Sequence, residues 1–198
     1  FVREKTARDE YRAAFVRHAG EESCRVSWHS ITLRQTGERI ISTSDLTLRN
    51  PNDKPVSRPV LYLNPGLEVT CLEERGKALD FTRDGQVIMI DRSLAAGDSI
   101  HLFMRYSGVP DGRIAYLDLD DAAYYDTKRD NNFFRRGRRH VLVSDASLVL
   151  VPEVMWYPVT VPPVNPSFPF LSGRDYTLYR LRVVDPVQPI VLSQGERE

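Results

Sequence analysis

Four histidines and one acidic run are the side chains in this 198-residue sequence best suited to metal or proton chemistry. The histidines are His18, His29, His101 and His140, and no two of them stand at the i, i+4 spacing of an H-E-x-x-H helix. The usual zinc-peptidase site is therefore absent from the chain. The acidic run is Asp118, Asp120, Asp121 and Asp126. Its carboxylates have the chemistry of calcium ligands, but the glycine and distant glutamate of an EF-hand loop are missing. They could equally supply a carboxylate pair for glycoside hydrolysis, or form a solvated acidic loop.

A basic run follows, Lys128, Arg129, Arg135, Arg136, Arg138 and Arg139 around Phe133 and Phe134. Basic residues interleaved with aromatics suit a phosphate-bearing partner. The acids just upstream offer an internal ionic match instead. The arginines at 135, 136, 138 and 139 are the candidate partner-binding loop. Cys24 and Cys71 are too far apart in sequence for a paired-cysteine metal motif, and whether they form a disulfide is left open. No serine lies in a nucleophile elbow, and Ser193-Gln194-Gly195-Glu196 reads as a strand end and turn. The chain itself is thus expected to hold no catalytic residue, no metal and no cofactor.

The totals narrow the classes further. Lys plus Arg and Asp plus Glu both number 27, so the net charge is zero, which disfavours nucleic acid as a partner. A domain of this length buries roughly 70% of its unfolded surface and needs no staples. No apolar run approaches the ~18 residues of a membrane helix. The sequence begins at Phe1 and is read as a piece of a longer protein.

The elements that must position these groups are mostly strands. Thr6 to Ala19 has helical spacing in Tyr11, Ala14, Phe15 and His18, with Thr6 as N-cap and Gly20 as terminator. From residue 23 the period becomes two. Strands are expected from Arg25 through Val26, Trp28, Ile31 and Leu33, and from Arg39 to Arg49 with Ile41, Leu46 and Leu48. Another is Val60 to Leu63, broken by Asn64-Pro65-Gly66. Leu67 to Gly108 reads as a meander: Leu67, Val69 and Cys71 on one face, then hairpin turns at Glu73–Gly76 and Arg83-Asp84-Gly85, then Val87 to Ile90. Its last strand sets Ile100, Leu102, Met104 and Tyr106 against His101, Phe103 and Arg105. Val109 to Arg139 has no winning period, His140 to Val151 is strand-like, and Arg174 to Asp185 alternates through Tyr176, Leu178, Leu181 and Val183. The expected fold is all-β, an antiparallel, saddle-like β-sandwich over 23–198, with a short helical connector over 1–22.

Four pieces in order carry a resemblance: LTLRNPNDKPVSRPVLYLNPGLEVTCLE, KALDFTRDGQVIMIDRSLAAGDSIHLFMRYSG, VPEVMWYP and RDYTLYRLRVVDPVQPIVLSQGE. Together they resemble the N-terminal β-sandwich of zinc metallopeptidases of the aminopeptidase N type. The resemblance implies a non-catalytic domain that packs against a catalytic domain of the same chain and walls its cleft, with zinc in that neighbouring domain. Glu153, Trp156, Tyr157 and Pro158 become candidate interdomain or cleft contacts. Glu153 stands closer to Tyr157-Pro158 than the family's substrate-binding acid or amide, so that role is not carried over. The helical connector resembles the bacterial subset fused behind an ABC transporter permease, which would make the parent membrane-anchored, on a side the sequence leaves open. Two rival readings are a free-standing β-sandwich module binding carbohydrate or a protein partner, and a small hydrolase built on the Asp118–Asp126 carboxylates.

Overall fold

The computed structural model describes residues 2–21, 23–117, 142–144, 147–162, 177–185 and 196. It contains one α-helix, α1 (Val2–Arg17), and eleven strands among those residues. The strands β1 (Arg25–Thr36), β2 (Arg39–Arg49), β4 (Leu67–Glu74), β5 (Lys77–Ala78), β8 (Ser99–Gly108) and β11 (Leu178–Val184) make a six-stranded sheet in the order β11-β1-β2-β8-β4-β5. The strands β3 (Val60–Tyr62), β6 (Phe81–Asp84) and β7 (Val87–Ile90) make a second sheet, and β9 (Leu142–Ser144) pairs with β10 (Ser147–Val149). Buried residues of the first two sheets belong to one apolar cluster, from Ile31, Leu46 and Leu102 to Leu61, Ile88 and Ile90. The all-β sandwich with one short helix is thus the observed architecture.

Several sequence expectations need correction. The helix begins at Val2, so Thr6 lies inside it rather than capping it; Arg3, Glu4 and Lys5 are good helix formers and nothing there breaks the turn. The inward face of β2 is Ile40, Ser42, Ser44, Leu46 and Leu48, while Ile41 points out, because the side chain alternates strictly and Ile41 is odd relative to Leu46. A bulge between Val26 and Trp28 flips β1, so His29, Ile31 and Leu33 face the core and Trp28 does not. A second bulge between Val69 and Cys71 makes Leu72, not Cys71, the buried residue of β4.

The meander divides between layers: β4, β5 and β8 lie in the large sheet, and the hairpin β6–β7 in the small one. The face assignment of β8 matches the alternation of its sequence, with Ile100, Leu102, Met104 and Tyr106 buried. Its strand β11 departs from an all-antiparallel scheme, running parallel to β1 with His29 opposite Tyr179 and Ile31 opposite Leu181. Leu178 consequently points outward beside Trp28. The second half of the expected terminal hairpin, with Ile190 to Leu192, lies outside the described residues, as does Tyr176.

The segment after β8 is not irregular throughout. Residues Ile114 to Leu117 are buried, held by the helix. Arg8 of α1 is itself buried and donates from its guanidinium to the carbonyls of Arg113, Ala115 and Tyr116. Arg12 donates to the Leu117 carbonyl, and the Tyr11 hydroxyl donates to Asp111. At the other end, Arg17 and His18 both meet Asp84 in the β6–β7 turn. Buried Ala14 packs beside Gly85, so the helix is docked on the sandwich rather than projecting from it.

Candidate functional site

A chain of polar side chains crosses the centre of the sandwich where the large sheet would otherwise be apolar. After the bulge, β1 turns His29 inward, and β2 places Ser42 and Ser44 on the same face. The His29 Nε2 atom lies 2.9 Å from the Ser44 Oγ, which lies 3.1 Å from the Tyr106 hydroxyl of β8. The Ser42 Oγ is also buried, and Ser42 stands directly opposite Tyr106 across β2 and β8. Aromatic rings close the cluster: Tyr157 and Tyr179 meet the imidazole edge-on at 5.6 and 6.3 Å, and Tyr157 packs edge-on against Trp156 at 4.8 Å.

Burial sets the charge state of each group. It depresses the His29 imidazole from 6.5 to about 4, because the site offers a charged ring no compensating solvent. It raises the Tyr106, Tyr157 and Tyr179 phenols. All four groups are neutral at pH 7. The histidine–serine pair therefore resembles a nucleophilic dyad only in distance. His29 is 2% exposed, and a base held near 4 is mostly unprotonated yet too weak to draw a proton from serine. The arrangement is a buried hydrogen-bonded strut. Sequence reasoning missed it; the signal was His29 at the same parity as Ile31 and Leu33.

Beside it stands the segment that carries the candidate contacts. Pro152–Val154 forms a single 3-10 turn, closed by Met155 in the left-handed region at φ 51°. Trp156 then enters the core with 6% of its surface exposed, Tyr157 stays half-buried, and Pro158 is buried. Val159 exchanges two backbone hydrogen bonds with Tyr62 of β3, at 2.7 and 3.0 Å. Glu153 is half-buried on the outer side of the turn.

Asn64 locks this segment to the meander. Its side-chain amide donates to the carbonyls of Asp111 and Val154, and its Oδ1 accepts from the backbone N–H groups of Gly66 and Asp111. Gly66 is required here by space: a Cβ would stand 2.1 Å from the Val109 carbonyl oxygen. Gly108, opposite Leu67, meets the Gly66 carbonyl in the same way at 2.0 Å.

The other sequence-chosen residues are scattered. His18 binds Asp84 at 3.1 Å. His101 is exposed, pairs with Asp45 and stacks on Trp28 at 5.8 Å. Both cysteines are free thiols, Cys24 buried and Cys71 partly so. His140, the acidic run Asp118 to Asp126, and the basic residues Lys128 to Arg139, with Arg135, Arg136, Arg138 and Arg139, lie outside the described residues. Among the described residues no group of three or more His, Cys, Asp or Glu is disposed to hold a metal ion, and no helix is long and apolar enough to cross a membrane.

No family model matches the chain, and no curated protein matches it. Similar solved structures are zinc metallopeptidases and relatives, at low identity over about half of the chain. An M1 zinc metallopeptidase from Deinococcus radiodurans is 24% identical, with 49% of this chain and 24% of that chain covered and a TM-score of 0.41. Aminopeptidase A of Legionella pneumophila, solved with aspartic acid, is 13% identical over 47% of this chain and 11% of that one, with a TM-score of 0.40. Native yeast LTA4 hydrolase is 17% identical over 44% and 15%, at 0.37. The chain thus spans less than a quarter of the length of each of these proteins.

Proposed function

We propose that this chain is a non-catalytic β-sandwich domain of a zinc aminopeptidase-like protein, and that it holds and walls the cleft of a catalytic domain in the same polypeptide. The observation that carries the reading is the ledge from Glu153 to Pro158. It is anchored by Trp156 in the core and bridged to β3, so that Tyr157 and Glu153 are presented on a frame with little freedom to lose. A rigid aromatic ledge buries much area against a neighbour at small entropic cost. The four sequence pieces that resemble the aminopeptidase N type support the same reading, and the zinc would belong to the neighbouring domain.

The direct test is hydrolysis of aminoacyl reporters with added zinc. The 198-residue chain alone is expected to release nothing; robust zinc-dependent release would overturn the proposal. The parent reading frame provides the complement, since an H-E-x-x-H with a later glutamate after residue 198 is expected. The finer reading, a permease ahead of α1, comes from the resemblance of residues 1–19 to a helical connector alone. Absence of membrane spans upstream in the parent frame would remove it.

A further inference from the structure

The rim of the sandwich beside the Glu153–Pro158 ledge gathers polar groups that the fold leaves unmatched. Tyr179 of β11 stands directly opposite His29 of β1, and directly opposed residues share a side of the sheet. It therefore points to the inner face, yet β11 ends the strand order of its sheet and Tyr179 stays 41% exposed. Its ring centroid lies 5.9 Å from that of Tyr157. Neither phenol hydroxyl has a hydrogen-bond partner among the described residues. Glu153, in the turn before Tyr157, is half-buried, and its carboxylate is close enough to push the Tyr157 phenol up beyond the effect of burial. No hydrogen bond or ion pair engages that carboxylate among the described residues. Arg180 and Arg182 fall on the other side of β11, because successive side chains of a strand alternate.

We propose that Glu153, Tyr157 and Tyr179 form a receptor for one guanidinium group, an arginine side chain of the domain that packs on the ledge. That the arginine belongs to a catalytic domain rests on the scaffold reading, whereas the receptor itself rests on the three unmatched groups. A guanidinium presents only donors, in a planar fork, and so complements a carboxylate beside phenol oxygens. Its bond to an ionised Glu153 would be about twice as strong as a neutral hydrogen bond. Little ordering is needed, because the Met155 turn and the buried Trp156 already hold Glu153 and Tyr157 in place. An apolar side chain fits less well, since it would strip water from the carboxylate and put nothing in its place. A divalent metal ion fits less well, because burial keeps both phenols protonated and leaves one anionic ligand.

The test is NMR titration of the whole 198-residue chain, carrying isotope-labelled tyrosine rings, with Nα-acetyl-L-argininamide. The neutral isostere Nα-acetyl-L-citrullinamide is the comparison, and Tyr157→Phe and Tyr179→Phe assign the two ring signals. Both signals are expected to move with the arginine compound and to stay in place with the citrulline compound. Read at the Tyr157 signal, Glu153→Gln should weaken binding about tenfold and Tyr179→Phe about threefold, the contrast between a charged and a neutral hydrogen bond. Both variants should melt with the parent, since neither side chain hydrogen-bonds elsewhere among the described residues. Ring signals that stay fixed, an equal response to the citrulline compound, or a Glu153→Gln variant that binds like the parent would each overturn the proposal. None of these outcomes touches the scaffold reading, which reporter hydrolysis and the parent reading frame decide separately.

Discussion

His29 and Ser44, on adjacent antiparallel strands, share a hydrogen bond of 2.9 Å at the centre of the sandwich, where neither side chain meets water. The bond exists because a bulge at the start of β1 rotates the strand by one residue. Without it His29 would lie on the outer face and Trp28 on the inner one. The strut ties β1, β2 and β8 together through polar contacts that only one register satisfies.

Acid should weaken the fold through this imidazole. The unfolded chain takes up its proton near 6.5 and the folded one only near 4. Between those values the unfolded state holds more protons, so stability is complete above about 6.5 and falls as the pH drops towards 4, by roughly 3 kcal/mol in total. Urea unfolding at pH 7.5 and pH 4.5 measures the loss. His29→Leu should flatten much of that slope while lowering stability at pH 7.5.

The side-chain amide of Asn64 faces two carbonyls and two N–H groups. Asn64→Asp keeps the acceptor but replaces the donor with a second acceptor aimed at the Val154 and Asp111 carbonyls. A loss of about 3 kcal/mol is expected, the cost of buried polar groups left unmatched. Thermal melts at neutral pH check it, and an unchanged midpoint would contradict the geometry.

Gly66→Ala should be far worse than Gly20→Ala. At Gly66 the new carbon would stand 2.1 Å from a backbone oxygen, whereas at Gly20 nothing lies within 4 Å. The first variant is expected to express as insoluble protein or to melt well below the parent, and the second to match it. Soluble yield and circular dichroism separate the two outcomes.

Arg8→Met should free the helix. The substitution removes three donors from the carbonyls of Arg113, Ala115 and Tyr116, all close to a buried guanidinium. Hydrogen exchange should then accelerate in α1 and in residues 112–117 before the sheets are affected. Uniform protection across all three regions would show that Arg8 is dispensable for docking.

The sequence made the hairpin of β6 and β7 and the bounds of β2 legible because strong turn residues bracket them, and both faces of β8 because its period of two is uninterrupted. The bulges were not legible. Ser27 and Thr70 look like any strand residue, yet each reverses the side on which its successors lie. The division of the meander between two sheets also escaped, since partner choice depends on strands far away in sequence. Of the candidate site, Trp156 and Tyr157 stood out by size. His29 did not, because one polar residue in a strand gives no hint that its neighbours across the sheet are Ser44 and Tyr106.

The parallel pairing of β11 with β1 joins residues about 150 positions apart, Trp28 to Leu178 and Arg34 to Val184. On a ribosome β1 is made first and waits with this edge unpaired until about 150 further residues have emerged. Pairings of such long range are slow to form, and a bare edge recruits other copies. Synthesis halted before residue 178 would therefore leave β1 without this partner and prone to recruit other copies, so β11 acts as a late closing seam of the large sheet.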